Sequence, residues 1–218
     1  MMPRLHSDHK NSKTHRVIVL CILILLFSFG YVSSGNTSSS TIPPTEVAPP
    51  SGGKISLPVF EFPVPQNEGE KNYLGVSGSG NCKVTDINTP VLIIEFFTMY
   101  CPHCQRSAPF VNELFQSIQG RTDLKQKIKI IGIGIANSLY EVNVFKKKYG
   151  IPFPLIPDQD GSLSKMFGVS GTPTFIGAKI NSDGTTEQFY FKSGELTDAA
   201  DFLSEILKLS GLKQEDKQ

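Results

Sequence analysis

The sequence predicts an α/β fold in which a central mixed β-sheet is flanked by helices, preceded by an N-terminal apolar helix and a disordered linker. Short apolar runs, Val91–Phe97 and Ile128–Ile135, alternate with segments of helical periodicity, as in sheets covered on both faces. The pair Asp183-Gly184 favours a tight hairpin turn, so the two late strands are expected to be antiparallel. The first 53 residues differ in composition from the remaining chain, which is long enough for one domain-sized core.

The N-terminal 34 residues have the pattern of a targeting segment. Residues 1–16 form a basic, cytoplasmic N-terminus, and an uncharged apolar run over residues 17–32 follows it. This run is shorter than the roughly 17 to 25 residues of a spanning helix but longer than the roughly 7 to 15 of a cleaved signal core. Residues 17–34 are therefore predicted to be a signal anchor or a signal peptide. Either assignment makes the remaining chain extracytoplasmic, that is periplasmic or on the outer face, and membrane-anchored or exported.

Residues 35–71 are predicted to form a linker and an irregular lead-in to the domain. From 33 to 53, 16 of 21 residues are Ser, Thr, Pro or Gly, and such a composition buries too little apolar surface to fold. Beyond residue 34 the charges nearly balance, with 17 Lys and Arg against 19 Asp and Glu. The basic residues are scattered, apart from residues 146–148. No nucleic-acid partner is predicted, and contact with a membrane is expected through the N-terminal apolar segment.

The domain is predicted to span residues 72–212, with a polar tail over 213–218. The predicted strands are 91–97, 128–135, 153–156, 174–180 and 187–191. The predicted helices are 110–118, 142–149 and 199–207, with breaks at Gly120, Gly150 and Gly211. This alternation of strands and helices predicts a mixed sheet with a helix after each of its first strands.

The segment Cys101-Pro102-His103-Cys104 lies at a predicted strand-to-helix turn. Two cysteines at this spacing can close a disulfide, and a helix N-terminus stabilises the first sulfur as a thiolate. We therefore expect Cys101 to be the nucleophile and Cys104 to be the resolving thiol. An imidazole at His103 can favour the ionised sulfur of Cys101, although a histidine that only fills an exposed turn is the structural alternative.

Four separated motifs make the domain resemble the thioredoxin superfamily. They are residues 95–104 (EFFTMYCPHC), 148–154 (KYGIPFP), 158–161 (DQDG) and 167–175 (FGVSGTPTF). Over residues 72–210 the chain is most similar to the membrane-tethered, extracytoplasmic TlpA/ResA-like branch of redoxins (AhpC/TSA-like), with a DsbA-like Cys-Pro-His-Cys active site. The resemblance implies a thioredoxin-like fold and disulfide exchange with client proteins that carry thiols or disulfides. It also implies a membrane or soluble redox partner and no cofactor.

The resemblance implies further site residues. A buried acid at the position of Glu95 helps to move the proton of the second cysteine in thioredoxins, and burial raises the pKa of such a carboxyl. The alternative for Glu95 is an ion pair with a lysine of the neighbouring strand. The bond between Thr172 and Pro173 is expected to be cis and to lie against the cysteine pair. Pro102, Thr172 and Pro173 are thus the predicted substrate-binding residues.

Other functions share parts of this pattern. Zinc takes four ligands, and besides the pair the predicted exported part offers just Cys82 and His103, so a site would need every one of them; no metal is predicted. A copper carrier of the related Sco type needs a distant histidine that this domain does not have. Thr98 resembles the Thr-x-x-Cys threonine of peroxiredoxins, but Ile94 stands where their proline is expected. The extra Cys82 is left free, buried or paired with another chain.

The direction of electron flow is the open question of the motif. The TlpA/ResA resemblance favours a reductant of exported proteins. The dipeptide Pro102-His103 resembles that of DsbA-type oxidases, because a stabilised thiolate makes the disulfide a stronger oxidant. Both directions use the same two thiols and the same mixed-disulfide intermediate.

Overall fold

A computed structural model describes residues 55–212 of the chain. The predicted basic N-terminus, the apolar segment 17–34, most of the linker and the tail 213–218 lie outside the described residues. Within residues 55–212, no helix combines the length and the apolar character needed to cross a membrane.

The described residues contain seven β-strands and five α-helices. The strands are β1 Glu61–Pro63, β2 Asn81–Lys83, β3 Val91–Phe97, β4 Ile128–Ile135, β5 Leu155–Asp158, β6 Thr174–Ile180 and β7 Thr186–Ser193. The α-helices are α1 Glu68–Leu74, α2 Pro102–Gln119, α3 Leu139–Tyr149, α4 Ser162–Met166 and α5 Ala199–Ser210.

A five-stranded sheet in the order β5-β4-β3-β6-β7 forms the centre of the fold. Strands β3, β4 and β5 are parallel, whereas β6 and β7 are antiparallel to their neighbours. The predicted mixed sheet with an antiparallel final pair is confirmed. Because the carboxyl ends of β3 and β4 meet at one edge of the sheet, the loops that follow them lie side by side.

Strand β3 is buried along its whole length and divides the core into two layers. Val91, Ile93 and Phe97 pack against α2, α3 and α5 on one face, whereas Leu92 and the other alternate residues face the second layer. Side chains of a strand alternate between faces, so Glu95 lies on the same face as Ile93 and Phe97. The carboxyl group is thereby directed towards the layer that contains α2.

The folded unit begins earlier than the sequence indicated. Strand β1 pairs with β2, and the side chains of Leu57, Phe60, Phe62 and Val64 are buried, although residues 35–71 were predicted to be linker and irregular lead-in. Prolines at 58, 63 and 65 argue against a strand in this segment, because a proline has no N–H to donate to a β-ladder. The sequence pattern therefore did not indicate β1.

The lead-in also joins the edge strand β7. Ile55 forms a β-bridge with Gln188, and the hydroxyl of Thr186 donates a hydrogen bond to the carbonyl of Leu57 at 2.6 Å. These contacts cover the first part of β7, where an edge strand otherwise exposes unpaired backbone groups.

Several element boundaries differ from the sequence prediction: α2 begins at Pro102 rather than at residue 110, and two other differences have clear local reasons. Helix α3 begins at Leu139 rather than at residue 142, because Ser138 and Glu141 form a capping box at its start. Strand β5 begins at Leu155 rather than at residue 153. Pro154 precedes it, and a proline has no N–H to donate to the ladder.

Candidate active site

The two cysteines lie where β3 passes into α2. Cys101 is the N-cap of α2, and Pro102 occupies the first turn, where a missing N–H costs nothing. The backbone N–H groups of His103 and Cys104 hydrogen-bond the sulfur of Cys101. Cys101 is partly exposed and Cys104 is buried, and both are free thiols in the structure. The helix start thus directs its unpaired donors at the accessible sulfur.

The pKa values of the two thiols move in opposite directions. Burial acts to raise the pKa of Cys101, but hydrogen bonds from the side chain of Thr172, from Cys104 and from the backbone outweigh it, so the pKa is lowered. Burial raises the pKa of Cys104 to about 12, and the negative charge of Glu95 adds to the rise. Cys101 is therefore the better nucleophile of the pair near neutral pH.

Glu95 is 2% exposed in the middle of the apolar layer. Burial raises its pKa to about 8, and its charge acts on Cys104. Lys129, one of the lysines expected as an ion-pair partner, instead donates to the carbonyl of Lys125 at 3.0 Å and lies 4.6 Å from the ring centre of Tyr73. The carboxyl of Glu95 can thus hold or release a proton near neutral pH, and its role towards Cys104 stays a prediction.

The imidazole of His103 belongs to a charged cluster at the rim of the site. Among the described residues its hydrogen-bond partners are Glu195 and Arg106, the latter at 2.8 Å. The Nε of Arg106 also donates to both carboxylate oxygens of Glu195, at 3.1 and 3.2 Å. Hydrogen bonds from Arg106 and His103 lower the pKa of Glu195 to about 2. The backbone N–H of His103 hydrogen-bonds Cys101.

The loop before β6 lies against the nucleophile. The thiol of Cys101 donates to the carbonyl of Thr172 at 3.3 Å. The bond between Thr172 and Pro173 is cis, as the resemblance implied. The buried Thr174 fixes this loop, because its hydroxyl donates to the carbonyl of Gly171 at 2.7 Å. The structure thus brings Thr172 and Cys101 together, while peptide binding by Pro102, Thr172 and Pro173 stays a prediction.

A second set of contacts, which the sequence did not reveal, holds the loop that leads to Cys101. Asn137 follows β4, is fully buried, and accepts a hydrogen bond from the N–H of Met99 at 2.8 Å. Its amide donates to the hydroxyl of Thr98 at 3.2 Å. Glu195 and Asn137 were missed because their partners are distant in sequence, and Arg106 because its main partner is Glu195. A polar residue two positions after an apolar strand was the available signal for Asn137.

Cys82 lies apart from this site on β2. It is buried, and its thiol donates to the carbonyl of Phe62 at 3.7 Å. Burial raises the pKa of this thiol. Across residues 55–212, the structure brings no three His, Cys, Asp or Glu side chains together in a group suited to a metal ion.

Comparison with known proteins places these features in a family context. The model of the AhpC/TSA family matches residues 59–191. The thiol-disulfide oxidoreductase ResA of Geobacillus thermodenitrificans (strain NG80-2) is 24% identical over 166 residues, which cover 74% of this chain and 80% of the relative. ResA of Bacillus thuringiensis subsp. konkukian (strain 97-27) is 25% identical over 179 residues, covering 82% and 87%. The match to ResA of Geobacillus kaustophilus (strain HTA426) spans 57% of that relative.

Solved structures share the fold. A putative thiol:disulfide interchange protein DsbE from Chlorobium tepidum superposes with a TM-score of 0.55 at 19% identity, covering 72% of this chain and 97% of that structure. StoA from Bacillus subtilis gives a TM-score of 0.50 at 19% identity, covering 69% and 96%. These likenesses confirm the predicted thioredoxin-like fold.

Proposed function

Because the chain belongs to the AhpC/TSA family, we propose that it is a thiol-disulfide oxidoreductase of the TlpA/ResA type, which exchanges disulfides with exported proteins through Cys101 and Cys104. The observation that carries the proposal is the pair of opposite pKa shifts at one helix start. A lowered pKa at the accessible Cys101 and a raised pKa at the buried Cys104 suit an attacking thiolate and a protected second thiol.

The reaction proceeds in two exchanges. The thiolate of Cys101 attacks one sulfur of a client disulfide, so that a mixed disulfide forms and the other client sulfur leaves as a thiolate. Cys104 then loses its proton to Glu95 and attacks the sulfur of Cys101, which releases the second client thiolate. The client disulfide has gained two electrons, and Cys101 and Cys104 are left as a disulfide that a redox partner must reduce.

The opposite direction is the second candidate. A stabilised thiolate at Cys101 favours the reduced form of the pair, and a pair of this kind accepts electrons from client thiols as DsbA-type oxidases do. The contacts of His103 support the reductant, because the carboxylate of Glu195 offsets positive charge on the ring that would otherwise stabilise the thiolate of Cys101.

The reduction potential of the purified protein tests the direction. Equilibration with glutathione or dithiothreitol should give a value nearer to about −270 mV than to about −120 mV, which are typical of thioredoxin and of DsbA respectively. A value near the second figure would reverse the assignment and leave the exchange chemistry intact.

The exchange chemistry itself is tested by insulin reduction in the presence of dithiothreitol. Cys101→Ser should abolish the activity, and Cys82→Ser serves as the matched control because Cys82 lies on β2, outside the site. Unchanged activity of Cys101→Ser would contradict the proposal. Consumption of hydrogen peroxide or a stoichiometric bound metal in the same samples would favour a peroxidase or a metal carrier instead.

We also propose that residues 17–34 export or anchor the domain, so that it meets its clients outside the cytoplasm. The basic flank and apolar run of the sequence support this placement. Exposure of the domain to added protease in cells whose outer layers have been opened, with the cytoplasmic membrane intact, is the expected result. Protection under those conditions would contradict the placement.

A further inference from the structure

The turn between β4 and α3 contacts the loop that ends at Cys101. We infer that Asn137 is a positioning residue which fixes Thr98 against both cysteines and thereby controls the second exchange, the attack of Cys104. This inference rests on the proposed function, because it concerns the same two thiols.

Thr98 is the residue through which Asn137 acts. Its carbonyl accepts the N–H of Cys101 at 3.1 Å, and its own N–H hydrogen-bonds the sulfur of Cys104. Asn137 bonds the side-chain hydroxyl of Thr98 and the backbone N–H of Met99, so it holds the residues on both sides of the peptide bond that joins them. One buried side chain therefore fixes the residue whose backbone bonds the N–H of Cys101 and the sulfur of Cys104.

The surrounding structure is shaped to place this side chain. Ala136 has a φ of 51°, a left-handed conformation that is uncommon for a residue other than glycine and persists where neighbouring structure requires it. A Cβ on Gly134 would lie 3.2 Å from Cβ of Asn137 and 2.6 Å from Val142, so glycine leaves the space that the turn occupies. The N–H of Asn137 donates to the carbonyl of Gly134 at 3.2 Å.

A second anchor from the same turn holds the next residue of the loop. The hydroxyl of Tyr100 donates to Glu141, and the other carboxylate oxygen of Glu141 accepts the N–H and the hydroxyl of Ser138 at 2.7 and 2.6 Å. Tyr100 is 65% exposed, so water can replace this contact, whereas water has no access to the fully buried Asn137. The inner anchor is thus the one that determines the geometry of Thr98.

Loss of Asn137 should act selectively on Cys104. When Thr98 is no longer held, its N–H no longer stabilises the sulfur of Cys104 in the ionised form. The fraction of Cys104 present as thiolate then falls, and its attack slows. Cys101 keeps its donors at the start of α2, so the first exchange should remain close to that of the wild type.

The experiment separates the two exchanges with 5,5′-dithiobis(2-nitrobenzoate) as the disulfide. The full chain is used in a Cys21→Ser, Cys82→Ser background, so that the redox pair alone reacts. Attack by Cys101 releases one nitrothiobenzoate, and attack by Cys104 on the mixed disulfide releases the second. Stopped-flow absorbance resolves both phases over a range of pH.

Three variants are compared. Asn137→Ala removes both hydrogen bonds, Thr98→Val removes the hydroxyl contact alone, and Thr98→Ser retains a hydroxyl and should restore the wild-type rate. Asn112→Ala is the matched control, because the amide of Asn112 donates to the backbone carbonyl of Tyr149 at 2.9 Å, away from the site.

We expect Asn137→Ala to slow the second phase about tenfold and to raise its pH midpoint by about one unit. The two figures agree, because a rise of one unit in the pKa of Cys104 lowers its thiolate fraction about tenfold. Thr98→Val should show a smaller change in the same direction. Asn112→Ala should leave the second phase unchanged, even if it lowers the free energy of unfolding as much as Asn137→Ala does. Second phases within twofold of wild type in both Asn137→Ala and Thr98→Val would overturn the inference. If Asn137→Ala does not fold, Thr98→Val against Thr98→Ser decides alone. Absence of both phases in the wild type would instead contradict the proposed function.

Discussion

Replacement of Glu95 by Gln should change how the stability of the domain depends on pH. The carboxyl has an ordinary pKa of 4.5, and burial raises it to about 8 in the folded protein. Between these values the folded state holds a proton that the unfolded state loses. The folded state is therefore destabilised progressively as pH rises from 4.5 to 8. The full stability that the protein has below pH 4.5, where Glu95 is protonated in both states, is lost over this range. Gln is neutral at every pH and avoids this loss.

The magnitude follows from linkage. Each pH unit in this window lowers the free energy of unfolding by about 1.36 kcal/mol, so the full window amounts to about 4 to 5 kcal/mol. Relative to the wild type, Glu95→Gln should gain stability by this amount between pH 4.5 and pH 8. At pH 7, where most of the window has been crossed, the relative gain should be about 3 kcal/mol.

The assay is urea unfolding of both proteins in the reduced state, from pH 4.5 to pH 9. Other ionisable groups are common to both chains and largely cancel in the difference, apart from Cys104, whose pKa is raised in part by Glu95. A difference that stays within about 1 kcal/mol across the whole range would refute the reasoning, because it would mean that Glu95 titrates normally.

Three further predictions concern the thiols and the packing beneath them. In Cys104→Ser the mixed disulfide on Cys101 cannot be resolved, so a client, or one nitrothiobenzoate from 5,5′-dithiobis(2-nitrobenzoate), should remain bound to Cys101. Mass spectrometry that finds only free protein would contradict this. Alkylation of Cys101 by iodoacetamide should show a pH midpoint below that of an ordinary cysteine, because its pKa is lowered; a midpoint at or above that value would rule out the assignment of nucleophile. Gly134→Ala places a methyl group 2.6 Å from Val142 and should lower the free energy of unfolding by about 1 to 3 kcal/mol, whereas Gly171→Ala meets no atom within 4 Å and should leave it unchanged; equal values in urea unfolding would contradict the packing described.

The elements that the sequence predicted correctly are those whose causes are local. Strand β3 is an apolar run broken by Glu95 alone, and the helix that follows the cysteines has apolar residues at helical spacing and ends near a glycine, so pattern alone locates the strand and the later part of the helix. Strand β1 and the burial of the lead-in were not predicted, because the buried side chains stand between prolines. The apolar residues of the lead-in find their partners on distant strands, which no local pattern indicates.

The candidate site divides in the same way. Cys101 and Cys104 carry their chemistry in their spacing, whereas Glu195 reaches His103 across 92 positions of sequence and Asn137 reaches Thr98 across 39. Such contacts are set by the order of strands in the sheet, which brings the loop after β4 and the loop after β7 to the same edge. The local motif could not indicate that the ring of His103 pairs with Glu195, and the effect of this ring on Cys101 stays a prediction.

The contact between the lead-in and β7 determines where a tether joins the domain. Thr174 of β6 pairs with Ser193 of β7 at the end of the strands that lies near the cysteines. Ile180 pairs with Thr186 at the opposite end of the same strands. Since Leu57 contacts Thr186, the described chain enters the domain at the pole opposite the redox pair. A group attached at residue 55 itself would therefore join the domain on the side away from Cys101. The same entry point is thus a suitable handle for attaching the domain to a surface without blocking its chemistry.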